Sequence, residues 1–370
     1  MTGFDPAVAT AAYLSSLPPE IRRAAEIHTA TAHWLWAADV VVMLAACWLT
    51  LRFNLLGRVR ARVERRGERP WIAALICSAV FAVILILLAT LVGAVGAAVS
   101  GQAAPPVPYG LWFIAAVIFL PVLYAAARAA PRRWWLWSGA VFAGLALLVM
   151  WVPFALASGP AELPALPAGP MREALLSLAH DAGFGVAEIY LSPSNAVDAD
   201  VTGAPGRPRI AVSQGMVVRQ SPQEARASVG HLMGHYAHQD QLTLALLAGT
   251  LGLALFYAVH RLFRPVAAAL GRGELSPADP AGLAVAAMIG IVGLTLATVG
   301  YDNVVRLINV RADQYSLDHA REPDGLAQAL LASDRADRVD PPWAEEVLFY
   351  NHPALKSRIA HAMAWKAARP

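Results

Sequence analysis

Charge is what this sequence has least of. Only 15% of its 370 residues are Asp, Glu, Lys or Arg, where a soluble globular chain carries about 25%. From Trp71 to Ala127 there is no charged residue at all. Lysine is nearly missing: Lys356 and Lys366 are the only two, and the formal charge of +3 rests on arginine. No basic stripe with interleaved aromatics occurs, which argues against nucleic acid as a partner. Two cysteines cannot make a disulfide framework. Cys47 and Cys77 both lie inside apolar runs, where a free thiol behaves as a small buried hydrophobe. The first 30 residues include Asp5, Glu20, Arg22 and Arg23. They lack the compact apolar core of a signal peptide, so the N-terminus is expected to be retained. Internal repeats and low-complexity tails are also missing.

What is present in excess is apolar sequence, at 57% of residues, with a mean hydropathy of +0.49. A helix needs about 20 apolar residues to cross the hydrocarbon core. Six stretches have that character: Trp34–Leu51, Trp71–Ser100, Leu111–Ala127, Trp134–Ala157, Leu242–Val259 and Leu283–Val299. Ala104–Gly110 is a Pro/Gly-containing break before the third. Trp134, Trp135 and Trp137 read as interfacial anchors. Asp39, about a turn inside Trp34, reads as lying near the interface, since a carboxylate at the bilayer centre costs roughly 2.5–3.5 kcal/mol. The fold class is therefore mainly α, a polytopic helical membrane protein of about six spans. Four segments follow: an N-terminal membrane domain of four helices (1–157), a polar segment (158–240), a transmembrane helix pair (241–300) and a polar C-terminal part (301–370).

Arginine sets the expected orientation. Residues 52–69 hold seven arginines and two glutamates, Arg128, Arg132 and Arg133 follow the third span, and Arg261, Arg264 and Arg272 follow the fifth. Short loops so marked are cytoplasmic, which puts 158–240 and 301–370 outside. The Ala/Arg-rich, lysine-poor composition suggests a bacterial inner membrane.

Within 158–240, Ser158–Pro170 reads as a linker and Met171–Ala182 as a short amphipathic helix. Val186–Leu191 and Arg209–Val218 read as two strands. A further helix then starts sharply, with Ser221 as N-cap, Pro222 at its first position and Glu224 completing a capping box. It carries His231-Leu232-Met233-Gly234-His235. Histidines at i and i+4 share a helical face and can share a metal ion. A zinc protease of this type has Glu directly after the first His, to take a proton from the metal-bound water. Leu232 stands there, and a branched alkyl group accepts no proton. His238 shares the face and reads as solvated. Asp240 is expected at the far end of the same helix, and Glu345 and Glu346 on a solvated face.

Two later stretches add context: Arg306-Leu307-Ile308-Asn309-Val310-Arg311-Ala312-Asp313, and Tyr350-Asn351-His352-Pro353 followed by Arg358. With the helix at 221–238 they resemble the integral-membrane CAAX prenyl endopeptidases, zinc metallopeptidases whose three segments read like HExGH, SRRxExxAD and HP followed by Arg. Order and spacing match, as does the helix pair between the first two. The stretch from Ala11 to Glu20 resembles bacterial members, so the likeness covers most of the chain.

The resemblance implies a zincin-like metalloprotease domain with a small β-sheet, and zinc as cofactor. His231 and His235 occupy the two histidine ligand positions, and Asn309 stands where the third ligand is Glu. Asp313 matches the Asp that orients a zinc-bound His. His352 and Arg358 match residues that help to hold substrate and transition state. Asn195-Ala196 resembles a pair that lines the substrate cleft. Ile210–Val217, with Ile210 and Val212, corresponds to an edge strand that pairs with extended substrate. Val305 and Leu307 depart from the second motif. Because both glutamates are replaced, the expected function is a catalytically inactive pseudoprotease scaffold that binds a peptide, a lipidated peptide or a lipid. Two alternatives stand beside it: an active or weakly active metalloendopeptidase with a substituted site, and a non-enzymatic membrane scaffold for partner proteins.

Overall fold

The computed structural model describes residues 4–65, 67, 69–100, 109–156, 163–333 and 337–369. Most of the Ala104–Gly110 break and the first part of the Ser158–Pro170 linker lie outside the described residues. The helices before the polar segment are α1 (Pro6–Ser15), α2 (Pro19–Arg52), α3 (Leu55–Glu64), α4 (Pro70–Ser100), α5 (Tyr109–Ala129) and α6 (Trp134–Ala146). Through a π-helical stretch, Leu147–Trp151, α6 continues into α7 (Val152–Leu156). The polar segment holds α8 (Pro170–Asp181), β1 (Ile189–Ser192), β2 (Ala199–Thr202), β3 (Arg209–Ser213), α9 (Gln214–Arg219) and α10 (Pro222–Ala237). It is followed by α11 (Asp240–Ala269), α12 (Leu283–Ala320), α13 (Pro323–Ala332), α14 (Trp343–Phe349) and α15 (Leu355–Ala368).

Among the described residues, five helical stretches are long and apolar enough to cross a membrane: Pro19–Arg52, Pro70–Val99, Trp134–Leu156, Asp240–Ala269 and Pro280–Ala320. The remaining expected span falls on α5, where the apolar stretch Phe113–Ala129 is shorter and Pro121 sits inside the helix. With 38 residues, α12 is about 57 Å long, nearly twice the hydrocarbon thickness of about 30 Å. Only its apolar first half, Leu283–Val299, is a spanning segment. The second half carries Asp302, Arg306, Arg311, Asp313 and Asp318.

The chain forms two compact units. One comprises Ile27–Leu145 and Ala248–Thr298. Its core includes Cys47, Leu56, Cys77, Phe81, Trp134, Phe263 and Val285. Both cysteines are buried and carry no disulfide. Trp134 is not an interfacial anchor: it is buried and packs edge-on to Phe256 and His260. Trp137 is exposed.

The other unit comprises Met1–Glu26, Ala146–Leu247 and Val299–Pro370. One core cluster joins the sheet to α8 and α10 through Leu175, Leu178, Ile189, Ile210, Val212, Val229 and Met233. A second joins α10, α12, α13 and α15 through Ala227, Leu317, Leu326, Ile359 and Met363, with Tyr13 and Leu14 of α1 packed against it. The sheet order is β1-β3-β2, with β1 parallel and β2 antiparallel to β3.

This sheet corrects three expectations. A third strand, β2, forms between the two expected ones, and β3 ends at Ser213 rather than Val218. The cause of the early end is Ser213, whose Oγ accepts the Met216 N–H at 3.0 Å and caps α9. More important, β3 is the central strand, so its backbone groups are taken up by β1 and β2. It is not an edge for substrate.

Candidate functional site

The site is built on α10. Its N-terminus is fixed by the expected capping box: Ser221 Oγ accepts the Glu224 N–H at 3.3 Å and the Glu224 carboxylate accepts the Ser221 N–H at 2.8 Å. That reciprocal bond accounts for Glu224. Helices α10 and α12 meet through small residues. A methyl group on Gly234 would lie 3.0 Å from both Ala312 Cα and Tyr315 Cβ, and Ser316 Oγ donates to the Ala227 carbonyl at 2.7 Å. This close approach brings Asp313 of α12 beside His231.

The two imidazoles lie nearly perpendicular, at 88°, and their Nε2 atoms face each other at 3.0 Å. Each Nδ1 is held by a carboxylate. His231 Nδ1 donates to Asp313 Oδ1 at 2.7 Å and His235 Nδ1 donates to Asp240 Oδ2 at 2.8 Å. Each carboxylate is paired in turn with arginine. Arg358 donates twice to Asp313, at 2.6 Å each, and Arg311 donates to Asp240. Burial works against ionisation of Asp313, but the bonds and charge of Arg358, then those of His231, outweigh it and hold its carboxyl below the usual range. For His231 burial is the largest effect and lowers its pKa, reinforced by Arg358 and His235 against the pull of Asp313. Neutral imidazoles that donate from Nδ1 present lone pairs at Nε2. The two Nε2 atoms are therefore placed to share a proton or a cation.

The other expected site residues are distributed as follows. Leu232 is half-buried and packs against the core beneath the sheet. Asn309 is buried. Its Nδ2 donates to the Val305 carbonyl at 2.9 Å and the Asn351 carbonyl at 3.4 Å. This ties the second and third motifs together. His352 Nδ1 donates to Asn351 Oδ1 at 2.6 Å. Arg358 is buried, and its Nη1 has no hydrogen-bond partner among the described residues. Ile210 and Val212 are fully buried core residues, so their side chains do not line a cleft. Asn195 lies on an exposed turn pressed against α9: a methyl on Gly215 would come within 2.2 Å of the Asn195 carbonyl. Glu345 pairs with Arg338 at 2.6 Å. Glu346 accepts the Ala354 N–H at 3.3 Å.

Asp240 and Arg311 went unrecognised in the sequence. Asp240 is not on the histidine helix. At Gln239 the backbone enters the left-handed region, with φ of 55°, so α10 stops at Ala237 and Asp240 opens α11. The reversal turns its carboxylate back to His235. The available signal was an acid five residues past the second histidine.

Do these residues fit a catalytic zinc? The two Nε2 atoms and their carboxylate-fixed Nδ1 protons suit a divalent metal. The third position does not. A catalytic zinc site uses three protein ligands and an open position, yet no group of three His, Cys, Asp or Glu gathers for a metal among the described residues. Asp240 and Asp313 are engaged with His Nδ1 and arginine, and Asn309 offers a neutral amide. The charge and ligand count for a catalytic zinc are not met.

A paired-histidine helix beside a small sheet, in a chain of membrane-length helices, defines an integral-membrane protein of the metalloprotease type. The chain belongs to Peptidase family M48, whose sequence profile matches residues 166–366. It is 26% identical over 253 residues to the uncharacterized metalloprotease YhfN of Bacillus subtilis, covering 65% of this chain and 59% of that one. To protease HtpX of Chromohalobacter salexigens it is 39% identical over 83 residues, 22% of this chain and 28% of the relative. These matches span less than two thirds of either relative's length. The crystal structure of S. mikatae Ste24p shares the fold, with a TM-score of 0.65, 16% identity, and coverage of 94% of this chain and 90% of that one. The fold class expected from the CAAX prenyl endopeptidase resemblance is therefore the fold observed.

Proposed function

We propose that this chain is a catalytically inactive member of its family that retains the scaffold to bind an extended peptide, including a lipidated one, or a lipid. One observation supports the reading: the histidine pair is held as a metal site requires, while the resemblance to the CAAX prenyl endopeptidases puts Leu232 and Asn309 at the positions of the base and the carboxylate ligand. Loss of a general base alone costs roughly 10²–10⁴-fold in rate. A neutral amide adds no charge to the metal site.

The sheet supports an entry point for peptide. Ser213 N–H donates to the Asp198 carbonyl at 2.9 Å, and the register runs on through Asp200↔Ala211 and Thr202↔Arg209. By alternation, the Val201 N–H and C=O point away from β3. Phe154 accepts the neighbouring outward N–H of Gly203 at 3.2 Å. An extended peptide can therefore add to β2, which packs on the histidine helix. The setting we propose is a bacterial inner membrane, with residues 158–240 and 301–370 outside the cytoplasm, as the arginine pattern suggests.

A second reading, weak metallopeptidase activity, is favoured by the intact Asp–His orientation. Elemental analysis of the purified chain, with His231→Ala as control, separates the two when run beside a peptide-cleavage assay. Zinc far below one per chain and cleavage no greater than the control are expected. Near-stoichiometric zinc that vanishes in the control, accompanied by cleavage, would replace the first reading with the second.

A further inference from the structure

The membrane-embedded unit contains an apolar cavity of about 240 Å³. An engineered apolar cavity of about 150 Å³ stays dry and takes up benzene, so this one has room for a hydrocarbon segment. Its lining includes Phe81, Leu120, Tyr124, Phe256, Phe263 and Gly290.

Chain order shows at which end of the helices the cavity lies. On α4 it is lined only by Ala74, Ser78 and Phe81, near the helix start; on α5 only from Leu120 onward, near the helix end. On α11 the lining is Leu255 to Phe263, and on α12 it is Leu283 to Gly290. All of these positions adjoin the loops that carry Arg52–Arg69, Arg128–Arg133 and Arg261–Arg272. The cavity therefore sits at the arginine-rich end of the spans.

The charges at this end are unequal. Asp279, which lines the cavity, is neutralised by Arg60 and caps the following turn by accepting the Ala281 N–H at 2.8 Å. Glu64 also lies by Arg60, at 3.7 Å, and Glu274 by Arg272, at 3.4 Å. Arg128 forms no ion pair among the described residues. It donates to the hydroxyl of Tyr124 at 3.2 Å, and Tyr124 lines the cavity. A cation without a counter-ion among the described residues thus stands beside a residue that lines the apolar cavity, at the arginine-rich end of the spans.

We propose that the cavity binds one acyl chain of an anionic phospholipid, with the phosphate held by Arg128 and the Tyr124 hydroxyl. A neutral lipid offers the same chain but adds no net charge to complement the arginines. The site is separate from the histidine pair, so it stands or falls independently of the function proposed above.

The test uses the full chain in nanodiscs made from equal parts phosphatidylglycerol and phosphatidylcholine, followed by native mass spectrometry after release into detergent. One retained phosphatidylglycerol per chain is expected. Gly290→Leu should abolish retention, because the new side chain enters the cavity; a methyl built there meets nothing within 4 Å, so the fold should tolerate it. Arg128→Gln, an exposed position, should lower phosphatidylglycerol retention about fivefold, as expected for one surface arginine worth about 1 kcal/mol, and lower any phosphatidylcholine signal less, because the choline ammonium already neutralises that phosphate. Equal retention of the two lipids, no retained lipid in the wild-type chain, or full retention in Gly290→Leu would each overturn the proposal.

Discussion

At His231 and His235 the carboxylates do the orienting and the third position decides the chemistry. Asp313 and Asp240 fix both imidazoles with Nε2 turned inward, a geometry that costs nothing further to present to a metal. Among the described residues no third, anionic ligand gathers with them. Asn309→Glu should therefore raise zinc content to near one per chain, whereas Leu232→Glu alone should not, because it supplies a base and no ligand. In the Asn309→Glu background, Asp240→Ala should weaken zinc affinity by about 10–100-fold, the usual cost of losing an orienting partner. Zinc titration by competition with a chelator measures both. An unchanged affinity in the Asp240 variant would remove that residue from the site. The sequence made the ligand positions legible because i,i+4 spacing is local. It did not reveal Asp240, since a single left-handed residue, Gln239, redirects the chain in a way that spacing cannot show.

At the scale of elements, α1 packs on the core of its unit through Ala9, Tyr13 and Leu14, and a polar contact adds to that packing. Tyr13 donates to Asp324 Oδ1 at 2.7 Å, and Lys366 of α15 donates to Asp324 Oδ2. Burial opposes ionisation of Asp324, yet the bonds from Lys366 and Tyr13 and the charge of Lys366 hold its carboxyl below the ordinary value. A depressed folded-state pKa stabilises the docked form above the unfolded value of about 3.9, and that contribution is lost as pH falls through the folded value. Proteolysis in the connection between α1 and α2 should therefore rise as pH drops from 5 towards 3, and Asp324→Asn should flatten the response while raising cleavage at pH 5. A pH-independent cleavage rate in the wild-type chain would contradict this. Among the elements, the capped start of α10 was readable from Ser221, Pro222 and Glu224. The strand β2 was not: four residues, Ala199–Thr202, are too few for alternation to stand out, and their pairing with β3 is a tertiary contact.

At the scale of the whole molecule, the contact between Tyr13 and Asp324 constrains the membrane topology. Residues 1–26 and 299–370 belong to one compact unit, so the chain must cross the membrane an even number of times between them. Five long apolar stretches are too few by one. We expect the shorter α5 to cross as well, which would bring the count to the six spans expected from hydropathy. Cysteines introduced at Ser15 and Ala368 should label equally with a membrane-impermeant maleimide from one side, and a cysteine at Arg69 only from the other. Cys47 and Cys77 are buried and should stay silent. Labelling of Ser15→Cys and Ala368→Cys from opposite sides would remove α5 from the spans.

The sequence by itself determined the membrane-embedded helical class, because the hydrophobic effect acts on uncharged runs long enough to cross a bilayer. It also determined the histidine face and the absence of its glutamate, because helical periodicity and residue identity are local properties. Tertiary structure alone decided that β3 is central and β2 the edge, that Arg358 and Arg311 lock the two orienting carboxylates, and that Trp134 belongs to a core. Each of those outcomes depends on partners far away in the chain, brought into contact by packing such as the close approach of Gly234 to Ala312, and no spacing along the chain encodes where those partners meet.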